Sequence, residues 1–229
     1  MVHALALVAL LARQASAAAP PEPRKAEYAV RWNPAQGGLE TAVEVVAFLG
    51  SARPAGETYE VRYFDLPLPS GAPVGATAIM RRRASAAGGA QIRLKYRRAR
   101  PLDAAWSCPA GPFRRSEEVD IGFGGGGTPS RVYSYSCTLE AAEPPAGLAA
   151  VAKPCSSRMM RYALGGRADE GYKVEEWTLP DGGVRLEVSR SAPNSVDELT
   201  RFVELVERLR ARGVRPLDES KTELGSRCP

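Results

Sequence analysis

Three strand-like segments between residues 59 and 97 constrain the fold of this 229-residue chain more than any other part of its sequence. YEVRY (59–63) and QIRLKYR (91–97) alternate apolar with charged or polar residues, and ATAIMRRR (76–83) ends in three consecutive arginines. A period of two places the charges of each strand on one face of a sheet. The pattern predicts several cations side by side, either on the solvated face of an antiparallel sheet or on a concave surface that binds an anion.

The composition is that of a loop-rich globular protein with a basic balance. Hydrophobic residues make up 44% of the chain and charged residues 25%, while 22 glycines and 19 prolines indicate many loops and few long helices. The formal net charge of +5 permits a polyanionic partner without requiring one. The length suits one sizeable domain or two small ones, and the single succession of predicted elements favours one.

The N-terminus resembles a secretory signal peptide that covers residues 1–17. Nine apolar residues, Ala4–Ala12, precede a small-x-small cleavage site at Ala15-Ser16-Ala17, and nine residues are too few to span a bilayer. A disordered alanine-rich tail is the alternative. Cleavage removes His3, the only histidine, which excludes a Ser-His-Asp or Cys-His nucleophile and a histidine-bound metal in the mature chain. The expected location is therefore secreted or periplasmic, with a proline-rich linker at 18–25.

The cysteine pattern agrees with export. Cys108, Cys137, Cys155 and Cys228 are even in number, widely spaced and free of any C-x-x-C pair. This spacing excludes the common zinc and thioredoxin-like motifs and predicts two disulfides formed in an oxidising compartment. The spacing leaves all three possible pairings open, and buried free thiols are the alternative if residues 1–17 are not a signal peptide.

The remaining periodicity predicts an α+β fold of seven or eight strands with two helices. Apolar stripes predict helices at 39–49 and 197–212, the second preceded by a capping box of Ser195 and Glu198. Residues 141–157 are interpreted as a loop. The four glycines at 124–127 are interpreted as a flexible loop because the flanking residues of a phosphate-binding loop are missing.

Short charged motifs recur along the chain in a distinctive order. They are Tyr63-Phe64-Asp65, Met80-Arg81-Arg82-Arg83, Leu94-Lys95, Arg115-Ser116-Glu117-Glu118-Val119-Asp120, Lys173 with Glu175, Arg185 with Glu187, and Pro216 with Ser220-Lys221-Thr222-Glu223. In order and spacing they resemble the motifs of the CYTH family, the triphosphate tunnel metalloenzymes. The resemblance covers residues 26–225 and leaves 226–229 as a tail.

This resemblance implies a fold, a ligand and a set of site residues. The fold is a single-domain, tunnel-like antiparallel β-barrel of about eight strands with a few outer helices. The implied phosphate ligands are Arg31, Arg81, Arg83, Lys95, Lys173 and Lys221. The implied metal ligands are Glu27, Glu117, Asp120, Glu175 and Glu187, of which Glu175 and Glu187 are also the implied catalytic groups. For each of these residues, a solvated surface charge is the alternative.

The implied chemistry needs no histidine. Arginine binds two phosphate oxygens at once through its planar fork, and Mg²⁺ or Mn²⁺, the implied cofactor, prefers oxygen ligands. The implied partner is a phosphorylated or polyphosphate ligand, with no specific nucleic acid and no membrane after signal cleavage. The sequence indicates no particular oligomeric state.

Two departures from the family motifs affect the functional interpretation. Glu27-Tyr28-Ala29-Val30-Arg31 stands where the family has Glu-x-Glu-x-Lys, and Arg93-Leu94-Lys95 stands where it has T-x-K. Losing one carboxylate weakens metal binding more than anion binding. Three functions follow in order of preference: a metal-dependent hydrolase of triphosphate or other phosphoanhydride substrates, a non-catalytic binder of polyanions, and a secreted structural or interaction protein.

Overall fold

The structure is a computed structural model that describes residues 21–51, 55–68, 72, 74–101, 107–165 and 171–229. The predicted signal peptide (1–17) and residues 18–20 of the predicted linker lie outside the described residues, so both remain predictions. Within the described ranges, the helices are too short or too polar to cross a membrane.

Nine strands close into one barrel. They are β1 (Lys25–Trp32), β2 (Glu57–Asp65), β3 (Thr77–Ser85), β4 (Ala90–Arg98), β5 (Arg114–Phe123), β6 (Ser130–Glu140), β7 (Val151–Ala163), β8 (Tyr172–Thr178) and β9 (Val184–Pro193). The order around the barrel is β1-β5-β6-β4-β3-β2-β7-β8-β9, and β9 pairs with β1. The predicted α+β barrel is confirmed, with one strand more than the expected eight and one parallel pair, β1 with β5.

The additional strand is β7, whose first half overlaps the loop predicted at 141–157. Pro154 lies within it, and proline is rare inside a sheet because it lacks an N–H group. The register between β2 and β7 shifts between Arg62 and Phe64, opposite residues 152–156. This irregularity accommodates the proline, and no local sequence pattern marks it.

Two helices cover the outside of the barrel. α1 (Ala42–Phe48) begins with a capping box formed by Thr41 and Glu44, and α2 (Val196–Ala211) begins at the N-cap Ser195. α2 packs Phe202 against Tyr28 of β1 and Phe123 of β5, with ring centroids 5.7 and 5.1 Å apart. This outer core confirms the predicted helices at 39–49 and 197–212. This packing also determines which side chains of β1 face the lumen. Tyr28 faces outward, so its neighbours Glu27 and Ala29 face inward.

A third helix, α3 (Lys221–Gly225), packs on the inner side of the barrel wall. Leu224 is buried with Val61, Tyr63 and Trp177, which are inward-facing residues of β2 and β8. A Cβ atom at Gly225 would lie 2.8 Å from the Tyr63 ring, so this helix lies as close to the barrel wall as a glycine allows. α3 therefore fills part of the lumen with apolar side chains.

Two disulfides are present, Cys108–Cys137 and Cys155–Cys228, and none of the four cysteines is free. The predicted pair of disulfides is confirmed, and such bonds fit an extracellular or periplasmic protein. The residues predicted as a tail, 226–229, contain Cys228 and are bonded to β7.

We expect alkylation of the purified protein without reductant to label no cysteine. After denaturation and reduction, the same treatment should label all four. Mass spectrometry of the intact protein distinguishes the two states, and a label on the unreduced protein would contradict the observed pairing.

Candidate functional site in the barrel lumen

The lumen contains a cavity of about 800 Å³ whose charged lining residues are mostly cationic. Ten cations line it, namely Arg31, Arg81, Arg83, Arg93, Lys95, Arg97, Arg98, Arg161, Lys173 and Lys221. Four carboxylates line it, namely Glu27, Asp120, Asp218 and Glu223. All six residues that the sequence predicts as phosphate ligands lie together in this cavity. Cations outnumber carboxylates on its surface, as a polyanion site requires.

Three neighbouring arginines on β3 and β4 form no ion pair with any carboxylate in the described ranges. Arg81 pairs directly with Arg93 across the two strands, and Arg83 lies two residues further along β3. Among the described residues, none of the three forms an ion pair within 4.0 Å: Arg93 donates to Thr138 Oγ1 at 3.2 Å, and Arg83 lies over the Tyr59 ring, 4.7 Å from its centroid. We refer to Arg81, Arg83 and Arg93 as the arginine cluster.

The arginine cluster is held together at an electrostatic cost. Burial, followed by the charges of Arg161 and Arg81, lowers the pKa of Arg83 to about 10. Burial and the charge of Arg81 also lower the pKa of Arg93. Both side chains remain charged at neutral pH. An anion bound between them would relieve the repulsion and replace lost solvation, so the cluster favours an anionic ligand.

A carboxylate cluster lies on the neighbouring strands. Glu27 of β1 and Glu118 and Asp120 of β5 each place one carboxylate oxygen within 4.8 Å of the others, and Glu27 pairs with Asp120 in register. Lys95 Nζ lies 2.9 Å from Asp120 and 3.1 Å from Glu118. We refer to Glu27, Glu118 and Asp120 as the carboxylate cluster.

The carboxylate cluster has the donor chemistry that a hard divalent cation needs. Burial raises the pKa of Glu27, but Lys221 and Lys95 outweigh it, so the pKa lies below its ordinary value. Lys95 and Arg97 likewise outweigh burial and lower the pKa of Asp120. Both carboxylates are therefore charged at neutral pH. Their oxygens fit Mg²⁺ or Mn²⁺, and the Lys95 ammonium now supplies a positive charge at the same place.

The position of Glu117 corrects one predicted metal ligand. Glu117 lies on the outer face of β5, where it forms an ion pair with Arg115 and is 42% exposed. The neighbouring Glu118 faces the lumen. Successive side chains of a strand point to opposite faces, so Glu117 and Asp120, three residues apart, cannot both face inward. Glu118 takes the place predicted for Glu117.

Glu175 and Glu187, predicted as metal ligands and catalytic groups, form a separate buried cluster. They pair across β8 and β9, and each side chain is only 1% exposed. Lys221 Nζ donates to Glu187 at 2.7 Å and to Glu175 at 3.2 Å. Arg161 forms an ion pair with Glu175, and Arg31 forms one with Glu187.

This buried cluster lies behind the cations that line the cavity. Neither Glu175 nor Glu187 contributes to the cavity surface, and Trp177 Nε1 also donates to Glu175 at 3.0 Å. The two carboxylates therefore hold Arg31, Arg161 and Lys221 in the cavity wall. The carboxylate oxygens of Glu175 and Glu187 form ion pairs with these cations and do not point toward a ligand in the cavity.

Several lumen residues were missed from the sequence. The alternation of residues 91–97 already placed Arg93 and Arg97 on the same face as Lys95, but neither was predicted as a ligand. Glu118 lies on the same face of β5 as Asp120, so alternation along that strand could have identified it. Arg161 lies on β7, the strand that the sequence did not predict. Alternation along a strand therefore could not be used to identify it as a lumen residue.

The glycine-rich segment at 124–127 lies at the edge of the cavity. Gly124 is part of the cavity wall, and Gly125 N donates to Asp218 Oδ1 at 3.1 Å. A Cβ atom at Gly124 would lie 1.8 Å from the same Asp218 oxygen. Glycine at this position lets the β5–β6 turn approach the C-terminal segment closely.

Comparison with known proteins shows likeness in structure only. No family model and no curated protein matches the sequence. The putative adenylyl cyclase HpAC1 from Hippeastrum, described as having a dominant triphosphatase activity, is 11% identical with a TM-score of 0.50, over 87% of this chain and 93% of that one. The Pyrococcus horikoshii proteins PH1012 and PH1819 are 15% and 14% identical, with TM-scores of 0.49 and 0.48. Each match covers 86% of this chain, and 98% and 96% of the respective Pyrococcus chain. This chain therefore shares the closed-barrel fold of the Hippeastrum protein.

Proposed function

We propose that this protein is a divergent, exported CYTH-type protein whose domain at 26–225 binds linear phosphoanhydride anions in the lumen and hydrolyses them with a divalent metal. The observation that carries the proposal is the arginine cluster, in which Arg81, Arg83 and Arg93 share one cavity wall and form no ion pair within 4.0 Å in the described part of the chain. The carboxylate cluster, on neighbouring strands, supports the metal. The order of the sequence motifs and the shared fold of a described triphosphatase support the reaction class.

The arginine cluster is suited to successive phosphate groups. Guanidinium forks bind phosphate oxygens in pairs and stay charged over the physiological pH range. Arg161 and Lys173 line the same cavity and provide further positive charge along it. A linear chain of phosphates presents charge at regular intervals, so triphosphate and longer polyphosphate fit this wall better than a single phosphate group does.

Glu27, Glu118 and Asp120 would hold Mg²⁺ or Mn²⁺ beside the bound phosphates. When bound, the metal neutralises charge on phosphate oxygens and polarises the phosphorus centre. Lys95 contacts the same carboxylates and lines the cavity. Its flexible ammonium group can turn from the carboxylates to a phosphate oxygen, and we assign it that role.

A second function, binding without catalysis, is favoured by one specific observation. Ala29 occupies the lumen-facing position where the CYTH motif has a second carboxylate, so β1 supplies one metal-binding oxygen group instead of two. Glu175 and Glu187, which could compensate, are engaged by Arg31, Arg161 and Lys221. Anion binding requires no carboxylate to contact the ligand, only the cations that Glu175 and Glu187 hold in the cavity wall.

The two functions are separated by measuring phosphate release from tripolyphosphate with Mg²⁺ or Mn²⁺ at neutral and alkaline pH. We expect metal-dependent release of phosphate, and we expect Glu118→Gln to slow it at least about tenfold. Substitution of a residue that only supports a metal ligand typically lowers activity by about that factor, and Glu118 would itself be a ligand. Glu117→Gln, a change at the adjacent outward position, is the matched control and should leave the rate unchanged.

Other outcomes reject the hydrolase. Salt-sensitive binding of tripolyphosphate without release would leave a non-catalytic binder. Neither release nor binding would leave the third interpretation, a structural or interaction protein. Equal effects of the Glu117 and Glu118 substitutions would contradict the assignment of the carboxylate cluster.

A further inference from the structure

The C-terminal segment, residues 215–229, contributes to the lumen without belonging to any strand of the barrel. Its beginning is anchored by a bridge between Pro216 and Trp32 and by a hydrogen bond from Leu217 N to Arg31 O at 2.8 Å. Its end is anchored by the Cys155–Cys228 disulfide, which reaches β7. α3 lies between these two anchors.

Lys221, the first residue of α3, is the part of this segment that matters most for the cavity. Its Nζ lies 2.7 Å from Glu187 and 3.2 Å from Glu175 and also lines the cavity. If Lys221 left this position, the two buried carboxylates would lose a cation that contacts both of them and keep Arg31 and Arg161 as their ion-pair partners among the described residues. The wall would lose a positive charge where the proposed function needs one.

Apart from the disulfide, only non-covalent contacts of a short helix hold the end of the segment against the barrel in the described residues. α3 has five residues, too few to be stable as an isolated helix. The Arg227–Glu219 ion pair joins two residues of the segment to each other. Besides the ion pairs of Lys221, the contacts of α3 with the barrel include a hydrogen bond from Arg97 to Thr222 Oγ1 at 3.1 Å and one from Tyr63 to Lys221 O at 3.3 Å. The Lys221 ammonium also lies 6.0 Å from the centroid of the Trp177 ring, and Leu224 and Gly225 pack against the barrel wall.

We infer that the Cys155–Cys228 disulfide positions Lys221 in the lumen, so that breaking this one bond weakens anion binding while the barrel stays folded. The inference rests on the proposed function, because it assigns a means of control to the same site. A dithiol would supply two electrons and two protons, leave Cys155 and Cys228 as thiols, and itself become a cyclic disulfide. The segment beyond Leu217 would then be held by non-covalent contacts alone.

The second disulfide provides a natural control. Cys137 faces outward from β6 in the apolar cluster formed with Leu94 and Tyr135, on the opposite side of the wall from the cavity. Cys137 is fully buried and its partner Cys108 is half-buried, whereas both Cys155 and Cys228 are half-buried. Mild reduction should therefore open Cys155–Cys228 first, and loss of Cys108–Cys137 should leave the lumen unchanged.

The test compares tripolyphosphate binding, by calorimetry without metal, for the wild type and two double variants. Cys155→Ser with Cys228→Ser should weaken binding at least about tenfold, the effect of removing one charged hydrogen-bonding partner. Cys108→Ser with Cys137→Ser should bind like the wild type. Far-ultraviolet circular dichroism and thermal unfolding establish that each variant is folded.

A double-mutant cycle with Lys221→Gln separates positioning of this residue from a general loosening of the barrel. In the Lys221→Gln background, removing Cys155–Cys228 should cause no further loss of affinity. A full additional loss in that background, or wild-type affinity in the Cys155/Cys228 variant, would overturn the inference. Absence of binding by the wild type would instead overturn the proposed function, so the two failures are distinguishable.

Discussion

Glu175→Gln is expected to reduce the free energy of unfolding by about 3–5 kcal/mol, the usual cost of removing one partner from a buried ion pair. Glu175 is 1% exposed and compensates both Arg161 and Lys221. Glutamine has nearly the same shape but leaves these two cations without their shared counter-charge. Urea denaturation measures the change directly.

The matched control is Glu60→Gln on the outer face of β2. Glu60 is 49% exposed and forms a 3.5 Å ion pair with Arg62, so its removal should cost less than about 1 kcal/mol. Similar losses at the two positions would show that the Glu175 network contributes no more than a surface ion pair.

The stabilisation by Glu175 should also depend on pH. Burial raises the pKa of this carboxyl, but Lys221 and Arg161 outweigh burial and hold the pKa well below its ordinary value of 4.5. A group whose pKa is depressed on folding contributes its full stabilisation above the unfolded-state pKa and loses it as the pH falls through the folded-state pKa. The difference between wild type and Glu175→Gln should therefore be largest near neutral pH and shrink in acid.

Arg81→Met is expected to weaken tripolyphosphate binding by about 10- to 100-fold, since a hydrogen bond to a charged group contributes about 1.5–3 kcal/mol. Arg81 forms no ion pair among the described residues and lies opposite Arg93. Its removal relieves repulsion with Arg83 and Arg93 but also removes a charge that favours ionised Glu175, so the unfolding temperature should change little. Loss of affinity without loss of stability distinguishes a ligand-binding residue from a structural one.

Arg82→Met is the matched control for this experiment. Arg82 is the adjacent residue on β3, faces outward, and donates to Ala142 O at 2.6 Å. Its substitution should leave the affinity for tripolyphosphate close to that of the wild type. Equal losses for Arg81→Met and Arg82→Met would indicate binding through net charge rather than through the lumen.

Most of the strands and the two outer helices could be predicted because local patterns determine them, whereas the closed barrel and its cationic lumen were implied by the resemblance to the CYTH motifs. Alternation along a strand sorts side chains between two faces, and the capping residues mark where helices begin. β7 could not be predicted in this way because Pro154 and the register shift opposite β2 interrupt its pattern. Only pairing with strands distant in sequence establishes it.

The roles of the acidic residues depend on long-range contacts, which the alternation of residues along one strand does not reveal. Parity distinguishes Glu118 from Glu117, but it does not show that Glu175 and Glu187 are engaged by Arg31, Arg161 and Lys221. Those ion pairs join β1, β7 and the C-terminal segment to β8 and β9. Such long-range pairing divides the acidic residues into a carboxylate cluster near the cavity and a buried pair behind its cations.

A crystal structure of the protein with tripolyphosphate and Mn²⁺ tests the central claim most directly. We expect a chain of phosphate density in the lumen, with oxygens within hydrogen-bonding distance of the Arg81, Arg83 and Arg93 guanidinium groups. We also expect an anomalous manganese peak beside Glu27, Glu118 and Asp120. Tripolyphosphate bound only on the outer surface, with the arginine cluster free of ligand at saturating concentration, would contradict the central claim.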